Sequence, residues 1–355
     1  MRVAVLGAGA IAFGNAALLC RNGHDPILWS PSGRRTAALA SGAPLEAEGA
    51  VAGRFHPRVA RDCAEALADA EAVLVALPGN GHRLVMDAAA PHLHPGQVVL
   101  ISSHMSLSAL YLAGLLAPRG VAVPIVGWGT TVTTGRQPGP TQARVSNIRA
   151  KVDIATLPTS AAAQGLAVCE ALFGKRFVPR ADLLAVSLSN LNPQNHLAMA
   201  LCNFTRIERG ESWANWSGAT EAVGRLMTAL DAERLAVAAA FGYEVRTITE
   251  HFTLSFGVTP GTVGEMAQQI LQRDTGLGPA TPETRYITED VPFGLVPTVR
   301  LAGIAGVPVP LHAGGVAIFS ALYGRDFAAE NDILPALGLD ALSIDGLRAK
   351  AEGVS

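Results

Sequence analysis

The run Val3-Ala4-Val5-Leu6, followed at once by Gly7-Ala8-Gly9-Ala10-Ile11-Ala12, constrains this chain more than any other segment. An apolar strand that ends in a GxGxxA turn and opens into an Ala/Leu-rich helix is the start of a βαβ unit. Gly7 permits the tight turn, Gly9 lets the backbone approach a pyrophosphate, and Ala12 lets the helix pack on the strand. The free N–H groups at the helix start then face phosphate. Gly7, Ala8, Gly9, Ala10, Ile11 and Ala12 are therefore candidate dinucleotide contacts.

The next 120 residues repeat the pattern. Short apolar runs at Val3 to Leu6, Ile27 to Trp29, Ala72 to Leu77, Val98 to Ser102 and Val121 to Val126 alternate with helical stretches. This predicts an N-terminal Rossmann domain, a doubly wound parallel sheet covered by helices on both faces. The runs Gln142 to Asn147 and Lys151 to Thr156 alternate as antiparallel strands would, extending the sheet, and a helix over Ser160 to Phe173 follows. At 355 residues the chain has length for about two domains. The boundary is expected near Arg180, giving a dinucleotide-binding domain over 1–180 and a mostly α-helical substrate domain over 181–355. Within the latter, Ala219 to Phe241 has helical periodicity, whereas Leu277 to Pro297, interrupted by Pro282, Pro292 and Gly294, reads as a long functional loop.

The second strand, Ile27-Leu28-Trp29, does not end in the acidic residue that would hold the ribose 2′-OH of NAD. It runs into Ser30-Pro31-Ser32-Gly33-Arg34-Arg35, two hydroxyls and two guanidinium groups where a 2′-phosphate would lie, so NADPH is expected over NADH. The alternative is that Arg34 and Arg35 begin a solvated helix. Ligands of such sheets bind beyond the carboxyl ends of the strands, which places Leu77, Pro78 and Ser102 at the nicotinamide half. His104 is either a proton donor there or a loop histidine bonded to backbone.

Composition narrows the class further. Charged residues are 16% of the chain against about 25% in typical domains, and apolar residues are 49%, so large buried interfaces are expected. The 27 Lys and Arg nearly balance the 29 Asp and Glu without a basic run, which argues against nucleic acid as a partner. Cys20, Cys63, Cys169 and Cys202 fit neither a disulfide framework nor a metal knuckle; no metal is expected. The first strand starts at Arg2, leaving no room for a signal core, and the uncharged stretches are broken by prolines. The expectation is a cytoplasmic enzyme without a membrane span, the apolar fraction favouring a homodimer through the helical domain although the internal core and domain interface would absorb the same surface.

The chemistry is expected in the second half. Asn190-Leu191-Asn192-Pro193-Gln194-Asn195-His196 opens an apolar helix, and such polar groups are costly to bury without partners. His196 is a natural acid/base group. The segment Arg285-Tyr286-Ile287-Thr288-Glu289-Asp290 offers Asp290 to orient and charge it, and Arg285 to grip a substrate carboxylate at two points. From the residues alone, a helix-capping cluster and a surface ion pair fit as well.

These segments together carry a family resemblance. GxGxxA, the Asn-x-Asn-Pro-x-x-His of Asn190 to His196, Asp231-x-Glu233-Arg234, Glu289-Asp290-Val291-Pro292 and Gly324-Arg325-Asp326-Phe327 resemble the opine dehydrogenases of the octopine and nopaline group over nearly the whole chain. The resemblance implies a Rossmann domain joined to a helical domain. It also implies reductive coupling of an amino acid to a 2-oxo acid with NAD(P)H, hydride reaching an imine in the cleft between domains. His196 would be the general acid/base, Asp290 its partner and Arg285 the carboxylate anchor. Asn192, Thr134 and Trp216 are candidate substrate contacts, alongside Thr133 and Trp213. Tryptophan stands where the family would have Tyr or Phe, which suggests an apolar or aromatic amine side chain.

Two other readings compete. Ketopantoate reductase and glycerol-3-phosphate dehydrogenase share the two-domain plan but use a catalytic lysine, and the only lysines here, Lys151, Lys175 and Lys350, lie outside the polar cluster. A catalytically silent NADP-binding sensor would bind NADPH and tolerate loss of His196 and Asp290.

Overall fold

The computed structural model describes residues 1–353 and divides into two compact units. The first comprises residues 1–187 with the chain from Arg348 onward, and the second Leu188–Leu347.

The first unit contains all twelve strands: β1 (Arg2–Leu6), β2 (Asp25–Trp29), β3 (Leu45–Gly49), β4 (Gly53–Phe55), β5 (Arg58–Val59), β6 (Ala72–Val75), β7 (Val98–Ile101), β8 (Ile125–Trp128), β9 (Thr133–Arg136), β10 (Gln142–Ile148), β11 (Val152–Leu157) and β12 (Phe177–Pro179). Its helices are α1 (Ala10–Arg21), α2 (Ala37–Ala40), α3 (Cys63–Leu67), α4 (His82–Ala89), α5 (Ser108–Leu116), α6 (Ala162–Phe173) and α7 (Leu183–Leu188). The main sheet has eight strands in the order β12-β11-β8-β7-β6-β1-β2-β5. From β5 to β8 every neighbour is parallel, and β11 joins antiparallel to β8. The central strands bury nearly every side chain, as a sheet covered on both faces requires.

Three sequence expectations change. Of the two runs expected to extend the main sheet as antiparallel strands, only β11 joins it. β10 instead pairs with β3 and β9 in a second sheet, ordered β4-β3-β10-β9. That sheet packs on α1, where Gly14 leaves room for Thr133 and Val145; a Cβ there would lie 3.1 Å from the Thr133 hydroxyl. Second, the fifth parallel strand begins at Ile125, not Val121, because Pro124 has no N–H to give and contributes only its carbonyl, which accepts from Val99 N. Third, the units divide after Ser187. Asp182 caps α7 through Leu184 N and Ala185 N, and Leu183 closes against Gly127, so α7 belongs to the first core.

The second unit is helical: α8 (Asn192–Cys202), α9 (Phe204–Glu208), α10 (Glu221–Ala240), α11 (Ile248–Phe256), α12 (Val263–Leu271), α13 (Arg285–Thr288), α14 (Val296–Ala305) and α15 (Pro310–Tyr323); α16 (Ile344–Glu352) follows. Thr247–Glu250 and Thr262–Glu265 form capping boxes that start α11 and α12. The segment Leu277 to Pro297 is more ordered than its prolines suggest. It holds α13 and a wide helical turn over Val291–Leu295 leading into α14, with Pro292 and Pro297 in first-turn positions where no N–H is needed. Among the described residues, no helix is long and apolar enough to cross a membrane.

Candidate functional site

In the first unit, Gly7 has φ +141°, and a Cβ there would meet the Ala76 carbonyl oxygen at 2.4 Å, so only glycine fits between the ends of β1 and β6. Ala12 is fully buried. The first turn of α1 has neither a side-chain cap nor an acidic residue, which leaves its N–H groups and the positive end of its dipole for an anion. Arg35 lies beside this turn: the nearest atom to a Cβ built on Gly9 is a guanidinium nitrogen of Arg35, at 3.8 Å. Arg34 and Ser32 are exposed nearby in sequence. The Ser30 Oγ, just after β2, is buried without a hydrogen-bond partner among the described residues.

Beyond β6 and β7 the backbone is tightly specified. Ser102 N donates to Val75 O, while its Oγ is buried and unpartnered among the described residues. Ser103, Ser106 and Leu107 all have positive φ, between 51° and 66°, a conformation costing about 1–3 kcal/mol for each non-glycine residue. Leu77 O accepts from His82 Nε2, and His82 Nδ1 faces the Ser108 hydroxyl at 3.1 Å. His104 Nε2 accepts from Ala109 N, and its Nδ1 faces the Ser187 hydroxyl at 3.3 Å. Burial lowers His82 to about 4 and His104 to about 3. Both rings are neutral with both nitrogens engaged, so the backbone-bonded reading of His104 applies. Thr133 is buried and donates to Asn15 Oδ1 in α1, which is a packing role; Thr134, half-buried, pairs with Asn147 at a register shift in the second sheet.

In the second unit, His196 on α8 and Asp290, which opens the Val291–Leu295 turn, come together over 94 residues of sequence, with Nδ1 2.6 Å from Oδ2. A carboxylate only accepts, so Nδ1 carries a hydrogen and Nε2 is left without a protein partner among the described residues. Asp290 is 2% exposed and His196 17%, so the pair is sheltered on the carboxylate side. The local sequence explains how the histidine is presented. Asn190 Oδ1 accepts from Asn192 N, Pro193 fits the first turn of α8, and Gln194 Nε2 returns to Asn190 O. Asn195 Oδ1, beside the histidine, is buried without a partner among the described residues.

Arg285 is exposed and only loosely paired, its Nε 3.9 Å from Glu289. Partial desolvation by the surrounding chain opposes its charge, but the carboxylates of Asp290 and Glu289 outweigh this and raise its pKa, so it stays a guanidinium ready for an anion. Two residues not singled out from sequence complete the cluster. The Tyr286 ring lies flat on the imidazole, and its hydroxyl reaches Asn215 Oδ1 at 3.4 Å. The i, i+4 spacing of Tyr286 and Asp290 is consistent with both meeting one ring, but does not distinguish this from ordinary packing.

Trp213 is core. It is enclosed by Gly218 and Gly278, either of which would place a Cβ 2.5 Å from its ring, and its Nε1 donates to Pro279 O. Trp216 is half-buried, packs edge-on against Phe252 and Phe256, and donates to Asp274. The remaining motif segments serve structure: Arg325 pairs with Glu330, Asp326 accepts from Ala328 N and Ala329 N, and Phe327 is fully buried.

A phosphate-ready turn on a parallel sheet, and a carboxylate-held histidine with a loosely paired guanidinium in a helical unit, define the class as a nicotinamide-dependent dehydrogenase. Residues 179–323 match the family model described as NAD/NADP octopine/nopaline dehydrogenase, alpha-helical domain, and residues 3–103 match that of ketopantoate reductase PanE/ApbA. The chain is 31% identical to the opine dehydrogenase of Arthrobacter sp. (strain 1C) over 353 residues, 98% of each protein. Octopine dehydrogenase solved with NADH and L-arginine shares the fold at a TM-score of 0.82 and 18% identity, covering 99% of this chain and 98% of that one. Yersinopine dehydrogenase with NADP+ does so at 0.69 and 16%, with 99% and 98% covered. The chain belongs to the opine dehydrogenase family, NAD(P)-dependent oxidoreductases that act on CH–NH bonds. The ketopantoate reductase family model thus matches at the nucleotide end and the opine family model over the helical residues.

Proposed function

We propose that this enzyme joins the amino group of an amino acid to the carbonyl carbon of a 2-oxo acid, with NADPH as reductant. The observation that carries the reading is the 2.6 Å contact of His196 Nδ1 with buried Asp290, which leaves Nε2 free to handle a proton next to Arg285. Arg285 grips the carboxylate of the 2-oxo acid at two points and fixes its carbonyl. Neutral His196 takes a proton from the incoming ammonium, and the freed amine adds to the carbonyl. The imidazolium, stabilised by Asp290, returns that proton to the hydroxyl of the adduct, which leaves as water. General acid/base assistance of this kind contributes about 10²–10⁴-fold. When bound, the nicotinamide supplies a hydride to the resulting iminium carbon, giving the secondary amine. Asn192, Thr134 and Trp216 are assigned to the substrate surroundings, and the indole favours an amine with an apolar side chain.

The cofactor cradle fits a dinucleotide: the uncapped start of α1 faces an anion, Gly7 and Ala12 keep the turn tight, and the Ser30 and Ser102 hydroxyls await partners. Ala8, Gly9, Ala10 and Ile11 offer backbone to the pyrophosphate, and Leu77 and Pro78 flank the nicotinamide end. Preference for NADPH rests on Arg35 beside Gly9 and on Ser30, Ser32 and Arg34 after a strand that ends in Trp29. The octopine dehydrogenase relative was solved with NADH and L-arginine, and the yersinopine dehydrogenase relative with NADP+.

The test is NADPH oxidation with a pool of amino acids, a pool of 2-oxo acids, and both, repeated with NADH and with His196→Ala. Oxidation that needs both pools and His196 is expected, with turnover falling far more than cofactor affinity in the variant. Oxidation by 2-oxo acids alone would make the enzyme a hydroxy-acid reductase instead, and NADPH binding without oxidation would leave a sensor.

A further inference from the structure

The imidazole of His196 is held on its face as well as its edge. Its ring and that of Tyr286 are stacked, with centroids 3.7 Å apart and planes 8° from parallel. Every other aromatic pair among the described residues is tilted by at least 46°. Aromatic pairs settle into edge-to-face or stacked arrangements, and a stacked pair fixes the plane of one ring by the plane of the other.

We propose that Tyr286 is a positioning residue, which sets the plane of His196 through the stacked ring while Asp290 sets its edge. This rests on the reading of His196 as the acid/base group. One hydrogen bond at Nδ1 leaves the ring free to swing about that contact, and a displacement of about 1 Å at a reacting atom can cost 10²-fold. Tyr286 and Asp290 are four residues apart at α13, so one turn of chain supplies both restraints. Tyr286 is itself held: its hydroxyl reaches Asn215 Oδ1, and Asn215 N donates to Gly276 O. That loop is pinned by Trp213 between Gly218 and Gly278. Burial pushes the Tyr286 phenol up, which keeps it a neutral donor to Asn215.

The experiment compares Tyr286→Phe and Tyr286→Leu with His196→Ala in the full-length enzyme. Proton spectra of histidine labelled at Cε1 report the stacking independently of turnover, because the His196 Hε1 resonance is displaced upfield by the tyrosine ring current. The displacement is expected to persist in Tyr286→Phe and vanish in Tyr286→Leu. Tyr286→Leu should lower kcat by about tenfold or more, with KM for the 2-oxo acid and the Kd for NADPH within about threefold, and Tyr286→Phe should restore kcat. A Leu variant that keeps kcat while His196→Ala is inactive overturns the positioning role. So does a Phe variant that keeps the ring-current signature but loses kcat. Turnover that survives in His196→Ala overturns the acid/base reading itself, and the displaced Hε1 resonance of the unsubstituted protein would still stand.

Discussion

The proposed preference for NADPH is tested most directly at one side chain, Arg35. Arg35 is exposed, yet its guanidinium stands 3.8 Å from the Cβ position of Gly9, the residue whose backbone would approach the pyrophosphate. A charge-assisted hydrogen bond is worth about 1.5–3 kcal/mol, and each 1.4 kcal/mol is tenfold in affinity. Arg35→Ala should therefore weaken NADPH binding by roughly 10- to 100-fold and NADH binding by under about threefold, read by fluorescence titration; equal losses would remove the 2′-phosphate contact. Residue identity made this end of the site legible, since a missing acidic residue after Trp29 is visible in a string of letters. His196 and Asp290 were legible for a different reason: polar groups opening an apolar helix need partners, and one segment offered a carboxylate. Tyr286 and Asn215 were not. An aromatic residue between Arg and Ile reads as ordinary packing until the plane of its ring is known.

Among the elements, α10 shows how a buried ion pair fixes helices that carry no chemistry. Asp231 and Arg234 are 4% and 2% exposed; Arg234 bonds Asp231 Oδ1 and the carbonyls of Leu188 and Arg246, and Asp231 Oδ2 takes Ile248 N at the start of α11. Burial lowers the Arg234 pKa while Asp231 works against the shift, so removing the carboxylate strands a charge. Breaking such a pair costs about 3–5 kcal/mol. Asp231→Ala should lose that much in urea unfolding, and the double variant Asp231→Ala/Arg234→Met should recover part of it. A double variant as unstable as the single would show that the cost lies in the helix start. The sequence displayed this pair as part of a motif, without saying that it braces α10 against α11. The same limit hid the second sheet: β3, β4 and β9 are short and half-exposed, β3 and β9 pair with β10 and β4 with β3, and the sheet packs on α1, a contact absent from any local pattern.

At the scale of the whole molecule, short apolar runs alternating with helical stretches, and then helical periodicity alone, announced a parallel-sheet half and a helical half, whereas the boundary depended on where α7 packs. The first unit also stores a pH dependence that no periodicity shows. His82 and His104 are 0% and 2% exposed, and burial lowers them to about 4 and about 3 from the ordinary value of 6.5. The His82 site further depresses His104. Because these folded values lie below the unfolded one, the unfolded chain binds protons first as the solution is acidified. Their contribution is then complete above pH 6.5 and is lost as pH falls towards 4 and 3. With two such groups the slope approaches about 2.7 kcal/mol per pH unit between those limits. The urea midpoint of the first unit should thus fall between pH 6.5 and pH 4.5, and His82→Asn should flatten that fall even if it lowers the midpoint at pH 7.5. A slope unchanged in the variant would mean that His82 is charged in the fold. That outcome would contradict the burial argument, in which the fully enclosed ring stays neutral, with Nε2 giving its hydrogen to the Leu77 carbonyl and Nδ1 accepting from the Ser108 hydroxyl.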